Sequence, residues 1–115
     1  MAEVEYRDIE GWPGYRVGSD GSVWSRLDRW KLNRWHRLKA TDNARGYLRV
    51  GLGSGAQRTA AKVHILVLNA FVGPRPEGFQ TCHWNGIKTD NRVENLRWGT
   101  VRDNIADSRR LGRRK

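Results

Sequence analysis

Thr81-Cys82-His83-Trp84-Asn85-Gly86, continued by Asp90-Asn91-Arg92-Val93-Glu94-Asn95-Leu96-Arg97-Trp98-Gly99-Thr100 and then Asn104, is the stretch that decides the fold. Residues 79–84 read as a short strand, residues 85–91 are crowded with turn-forming Asn, Gly and Asp, and residues 96–99 read as the returning strand. Thr100 followed by Asp103 reads as a capping box in which Asp replaces the usual Glu. The helix it opens runs to about Leu111, and Gly112 stops it. Strand, long turn, strand, helix is a ββα unit. It puts His83 near the end of the first strand, Asn95 at the entry to the second, and Asn104 in the first helical turn or just beyond.

These three side chains are of types that can act together on a phosphodiester. Neutral His83 is suited to take a proton from water, because an unperturbed imidazole titrates near pH 6.5. Asn104 offers a carbonyl oxygen to a hard divalent cation, with phosphate oxygens and waters completing its shell. The amide of Asn95 is placed to tie the connecting loop to the backbone and so orient the imidazole. Taken singly, each has a plainer reading: a strand histidine is usually structural, and an Asn beside a turn usually satisfies backbone groups.

Upstream, residues 6–25 carry a β-hairpin signal, with Tyr15 and Val17 alternating, a turn at Ser19-Asp20-Gly21 and Val23-Trp24 resuming. Residues 26–39 set Arg26, Arg29, Lys31, Arg34, Arg37 and Lys39 around Trp30, Trp35 and His36. That segment reads either as a solvated edge strand or loop anchored to the core by two Trp, or as an element that faces a groove or phosphate. Residues 47–52 and 58–63 form a second strand pair around Gly53-Ser54-Gly55. From His64 to Phe71 the apolar residues fall at helical spacing and end before Gly73-Pro74, so a short, largely buried helix is expected, acting as a hinge between an N-terminal sheet and the C-terminal unit.

Composition narrows the class. The 115 residues suit one domain, or a small unit with an appendage. Lys and Arg number 22 against 12 acids, a net charge of +10, which calls for a polyanionic partner such as nucleic acid. Apolar runs fall short of the roughly 18 residues that span a bilayer, and the N-terminus does not read as a signal peptide. A lone cysteine, Cys82, leaves no intrachain disulfide and no paired-cysteine zinc site, which fits a reducing, cytoplasmic setting. The six Trp are expected to supply much of a small core.

Residues 62–111 resemble the HNH family of ββα-metal endonucleases. The match rests on Val63-His64 through Ala70-Phe71, Cys82-His83, Asn85-Gly86, Asp90-Asn91-Arg92, Glu94 through Trp98 with Thr100, and Asp103-Asn104. Residues 6–25 resemble the nuclease-associated modular (NUMOD-type) motif that precedes such modules in phage and intron-borne homing endonucleases, with Tyr6 where a Trp is more usual.

The resemblance implies an α+β fold: a small antiparallel β region (residues 1–61) joined by the buried helix to a ββα-metal unit (residues 62–115) with a basic tail. It implies His83 as general base, Asn95 as the loop brace, Asn104 as metal ligand, and a divalent ion, Mg²⁺ before Mn²⁺. The position before the base is often an Asp that also binds metal. Here it is Cys82, a poor partner for Mg²⁺, and Asp107, one turn beyond Asn104, is the candidate replacement. His64 is read as structural or phosphate-contacting.

The implied partner is double-stranded DNA, held by Arg29, Lys31, Arg34, Arg37, Arg97, Arg109, Arg110, Arg113 and Arg114 and cut by a monomer or a homodimer in a phage- or mobile-element-bearing cell. The rival reading is a DNA-binding module whose nuclease site has degenerated, with Cys82 as its sign. A more distant third reading is a basic RNA- or ribosome-binding protein.

Overall fold

The computed structural model describes residues 3–26, 34–53 and 55–112. A four-stranded antiparallel sheet comes first, in the order β1 (Tyr6–Asp8), β2 (Tyr15–Gly18), β3 (Val23–Ser25) and β4 (His36–Arg37). The expected hairpin is β2–β3, closed by residues 19–22, with Gly21 at a φ of +87° that an L side chain adopts only under strain. A second sheet follows in the order β5 (Thr41–Asp42), β6 (Leu48–Leu52) and β7 (Thr59–Lys62). Helix α1 (Val63–Phe71), strands β8 (Gln80–His83) and β9 (Leu96–Gly99), and helix α2 (Val101–Arg110) complete the chain. Strand β1 and the two-residue strand β5 are additions to the sequence expectation, while the two-residue β4 is the solvated edge strand that one reading of residues 26–39 allows. All three are short and exposed, so they carry no alternating apolar signal.

Helix α1 is the centre of the packing. Val63, Leu66, Val67 and Leu68 are buried against Val17 and Val23 of the first sheet, Val50 and Leu52 of the second, and Leu96 of β9. One apolar cluster thus runs across the expected boundary at residues 61/62. The helix is buried on more than one side because elements of all three sheets surround it, and Ile65 and Phe71 remain only half-buried. Each fully buried Val or Leu stabilises the fold by roughly 1.5–3 kcal/mol relative to an exposed one.

The expected role of Trp is corrected by the packing. Largest among the enclosed side chains are Leu52, Leu68 and four valines. Trp12, Trp24, Trp35 and Trp98 are half-buried and Trp84 is exposed. Their indole N–H groups need partners, which keeps them at the rim. Trp24 Nε1 donates to Ser22 Oγ at 2.8 Å, and Trp98 Nε1 donates to the Gly73 carbonyl at 2.9 Å.

Candidate active site

Strands β8 and β9 pair with Thr81 opposite Trp98, Cys82 opposite Arg97, and His83 opposite Leu96. Side chains alternate across a strand, so Cys82 and Arg97 share one face and Thr81, His83, Leu96 and Trp98 share the other. His83 thereby enters the interior beside α1. Its ring centroid lies 5.6 Å from that of His64, edge-on, and 6.1 Å from that of Tyr47.

The loop between the strands is fastened by side-chain amides. Asn95, 4% exposed, accepts at Oδ1 from the Asn85 N–H (3.0 Å) and donates through Nδ2 to Asn85 Oδ1 (2.9 Å) and to the Asp90 carbonyl (2.8 Å). Asn85 Nδ2 in turn donates to Asp90 Oδ2 at 2.7 Å. Asp90 also receives the Arg92 guanidinium at 2.8 Å, and that contact first of all holds its carboxyl at a pKa of about 2.

The next residue, Asn91, is 3% exposed and sets its Oδ1 3.0 Å from His83 Nε2. The N-terminal hairpin supports this loop directly. The Val93 N–H donates to the Ser19 carbonyl at 2.8 Å, and a Cβ on Gly21 would stand 2.9 Å from the Asn91 carbonyl oxygen.

Burial dominates the electrostatics of both histidines. It pushes the His83 pKa below its usual value, aided by Lys88 and opposed by the Asn91 contact and by Asp90. His64 is lowered to about 4, first by burial and then by His83 and Lys62. A buried imidazole resists protonation because the charged form loses its hydration.

Helix α2 brings up the other wall. Thr100 Oγ1 accepts from the Asp103 N–H at 3.2 Å while Asp103 Oδ2 accepts from the Thr100 N–H at 2.9 Å, the reciprocal capping box expected from the sequence. The cap fixes where the helix starts, and so places Asn104, whose Nδ2 donates to the Thr81 carbonyl at 3.5 Å. Asn104 and Asp107 line, with His83, Thr81, Tyr47, Lys88 and others, a cleft of about 190 Å³. A larger hollow of about 520 Å³ beside β1 and α1 is lined by Arg7, Asp8 and Glu10 and lacks this histidine cluster.

The donors in the smaller cleft suit a hard cation in kind. The Asn104 carbonyl oxygen receives no hydrogen bond from the described residues, and the Asp107 carboxylate lies three residues along the same helix. Both are oxygen ligands of the sort Mg²⁺ combines with water and phosphate oxygens. Asp107 is not the solvated residue that its helix position would also allow. It is buried, and both its oxygens accept from Arg97 Nη2, at 2.9 and 3.0 Å.

Cys82 is fully enclosed, and burial raises its thiol pKa. A protonated, enclosed thiol has little to offer Mg²⁺. Among the described residues, no group of three or more His, Cys, Asp or Glu is placed to hold a metal by itself.

Of the expected DNA-contacting residues, Arg34 and Arg37 are exposed, the latter on β4. Arg109 and Arg110 are exposed on the last turn of α2, and the Arg110 guanidinium lies over the Trp84 ring at 3.8 Å while bonding to the Trp84 carbonyl. Arg97 is engaged by Asp107. Arg29, Lys31, Arg113 and Arg114 lie outside the described residues.

Sequence reasoning missed Asn91 as the imidazole's partner. Its only signal was the Asp90-Asn91 pair, which reads equally well as an ordinary turn. His64, read as structural or phosphate-contacting, is buried against His83, an arrangement that emerges only in three dimensions.

A His–Asn–Asn set gathered on strand, loop and helix of one ββα unit is a specific arrangement. Residues 61–106 match the HNH endonuclease family. Over 110 residues the chain is 33% identical to the DNA endonuclease I-HmuI of Bacillus phage SP01, covering 95% of this chain and 60% of that relative. An uncharacterized HNH endonuclease of Acanthamoeba polyphaga mimivirus is 34% identical over 100 residues, covering 84% of this chain and 23% of that protein. A solved structure of DNA binding and cleavage by the HNH homing endonuclease I-HmuI superimposes with a TM-score of 0.79 at 31% identity, covering 96% of this chain and 61% of that one. The HNH match therefore comes with a fold shared along nearly the whole of this chain. The chain spans about 60% of the phage relative's length. No helix among the described residues is long and apolar enough to cross a membrane.

Proposed function

We propose that this protein is a divalent-metal-dependent DNA endonuclease that hydrolyses phosphodiester bonds, using Mg²⁺ or, in its place, Mn²⁺. The observation that carries the reading is that His83 and Asn104, 21 residues apart in sequence, line one cleft inside a segment that matches the HNH family. The name of the matched homing endonuclease, which binds and cleaves DNA, supports the same substrate here, as does the net charge of +10.

His83 is the general base. Asn91 Oδ1 accepts only, so neutral His83 keeps its proton on Nε2 and Nδ1 is the nitrogen that takes a proton from water. Burial keeps the imidazole neutral at physiological pH, the form a base needs. Asn95 holds the loop that carries Asn91. Asn104, with Asp107, would hold the cation. When bound, such an ion supplies positive charge to the scissile phosphate and to the leaving oxygen.

Arg34, Arg37, Arg109 and Arg110, together with the basic residues on either side of them, steer the flanking backbone onto the site. The NUMOD-like hairpin serves as a DNA-contacting element and, through Ser19 and Gly21, as a prop for the active-site loop. A single such cleft among the described residues makes nicking the simplest outcome, by a monomer or homodimer in the cytoplasm of a phage- or mobile-element-bearing cell.

Relaxation of supercoiled plasmid with Mg²⁺, Mn²⁺ or EDTA, run beside His83→Ala, tests this reading. Metal-dependent nicking that disappears in His83→Ala is the expected result. DNA binding without cleavage in any metal would leave a DNA-binding module instead.

A further inference from the structure

Arg97 and Asp107 are joined in a way that leaves Arg97 unfinished. A single nitrogen, Arg97 Nη2, serves both carboxylate oxygens, at 2.9 and 3.0 Å. Arg97 Nε is buried without a partner, and the Arg97 side chain keeps 41% of its surface in solvent against 9% for Asp107. A side chain this exposed can turn outward, where Nε and the outer nitrogens of the guanidinium can bond one acceptor in pairs, and phosphate is the acceptor best matched to that fork. Asp107 lines the same cleft as Asn104 and His83, and among the described residues it is the one carboxylate there. Position 82, which could have supplied another, carries an enclosed thiol.

We propose that the Arg97–Asp107 pair is a latch on the metal site, closed in the free protein and opened by a DNA phosphate that draws Arg97 away and releases Asp107 to join Asn104 as an oxygen ligand. The inference rests on the reading of Asn104 as a metal ligand. Its physical content is exchange of partners. The guanidinium trades a carboxylate for a phosphate, and the carboxylate trades a guanidinium for a divalent cation, so neither charge is left unpaired in a partly buried place. Metal and DNA would then bind cooperatively, each tightening the other by the same factor.

The test is Mn²⁺ binding, followed by loss of the free-ion paramagnetic resonance signal, with His83→Ala present throughout so that DNA stays intact. Four proteins in that background are compared with and without duplex DNA: the parent, Arg97→Gln, Arg97→Met and Asp107→Asn. Circular dichroism melting confirms that each is folded, and the polar Arg97→Gln serves if Arg97→Met is not.

The parent should hold Mn²⁺ weakly alone and roughly tenfold or more tightly on DNA. Either Arg97 variant should bind Mn²⁺ without DNA more tightly than the parent does without it. Asp107→Asn should show a smaller gain than the parent on the same DNA, a comparison in which diffuse ion binding by the duplex cancels.

Equal Mn²⁺ affinity of the parent and the Arg97 variants in the absence of DNA would overturn the latch, as would an undiminished gain in Asp107→Asn. Failure of the nuclease reading appears elsewhere, as absent plasmid cleavage by the protein with His83 intact.

Discussion

Asn91 Oδ1 sits 3.0 Å from His83 Nε2, with both residues buried, so the imidazole reaches the cleft already held in one orientation. Asn91→Ala should cut the cleavage rate about ten- to a hundredfold, because the ring loses its orienting partner. Asn91→Asp is the sharper test. A carboxylate in that place favours imidazolium. The wild-type rate should climb with pH through a midpoint below the usual histidine value, since burial lowers the His83 pKa and the base acts when neutral. In Asn91→Asp that midpoint should move to higher pH. A pH–rate profile of plasmid nicking decides, and an unmoved or lowered midpoint would refute the pairing.

Asn95 makes three hydrogen bonds from an almost fully buried amide, and they span the loop from Asn85 to Asp90. Removing the amide strands the Asn85 N–H and the Asp90 carbonyl, so Asn95→Ala should cost about 3 kcal/mol at roughly 1 kcal/mol per bond. That corresponds to a fall of about 10 °C or more in melting temperature for a domain of this size. Thermal denaturation followed by circular dichroism measures it. A melting temperature equal to wild type would show that the loop does not depend on this amide.

Features governed by short stretches of sequence were the legible ones. The Thr100–Asp103 box spans four residues, and the alternation of β2, β3 and β6 is read along each strand alone. The ββα unit follows from such pieces, and with it the convergence of His83 and Asn104. Features set by register or by packing between distant segments were not legible. Asn91 looks like any turn asparagine until the loop is folded over His83. The Arg97–Asp107 pair depends on both the β8–β9 register and the start of α2, and neither residue's surroundings announce it. Residues 26–39 allowed an edge strand without placing it at His36–Arg37, because two exposed residues paired only to β3 leave no pattern. The Trp residues misled on burial because apolar area was counted and the indole N–H was not.

His64 ties stability to pH. Its pKa in the fold is about 4 against 6.5 for an exposed imidazole. The unfolded chain therefore binds the extra proton first, and stability is complete above pH 6.5 and declines as pH falls toward 4. The full difference is worth about 3 kcal/mol at 1.36 kcal/mol per pH unit. His64→Phe keeps a ring against Tyr47 and His83 but cannot titrate. Urea denaturation at pH 7 and at pH 4.5 should show a marked loss for wild type and a much smaller one for His64→Phe, the remainder coming from His83. Parallel losses in the two proteins would count against a buried neutral His64.

Gly99 closes the hairpin onto α2 by having no side chain. A Cβ there would stand 2.6 Å from Cys82 Sγ and 3.1 Å from Asp103 Cβ. The thiol is fully enclosed and Asp103 is held in the capping box, so neither can step aside without loss. Gly99→Ala should therefore push α2 off the strands, drawing Asn104 from Thr81, and destabilise the protein by about 1–3 kcal/mol. Cys82→Ala removes the sulfur that the new methyl group meets. The double variant should then be more stable than the sum of the two single losses predicts, by an interaction energy of roughly 0.5 kcal/mol or more. A double-mutant cycle of urea denaturations measures the coupling. Strict additivity would mean that Gly99 is not the point where strand and helix touch.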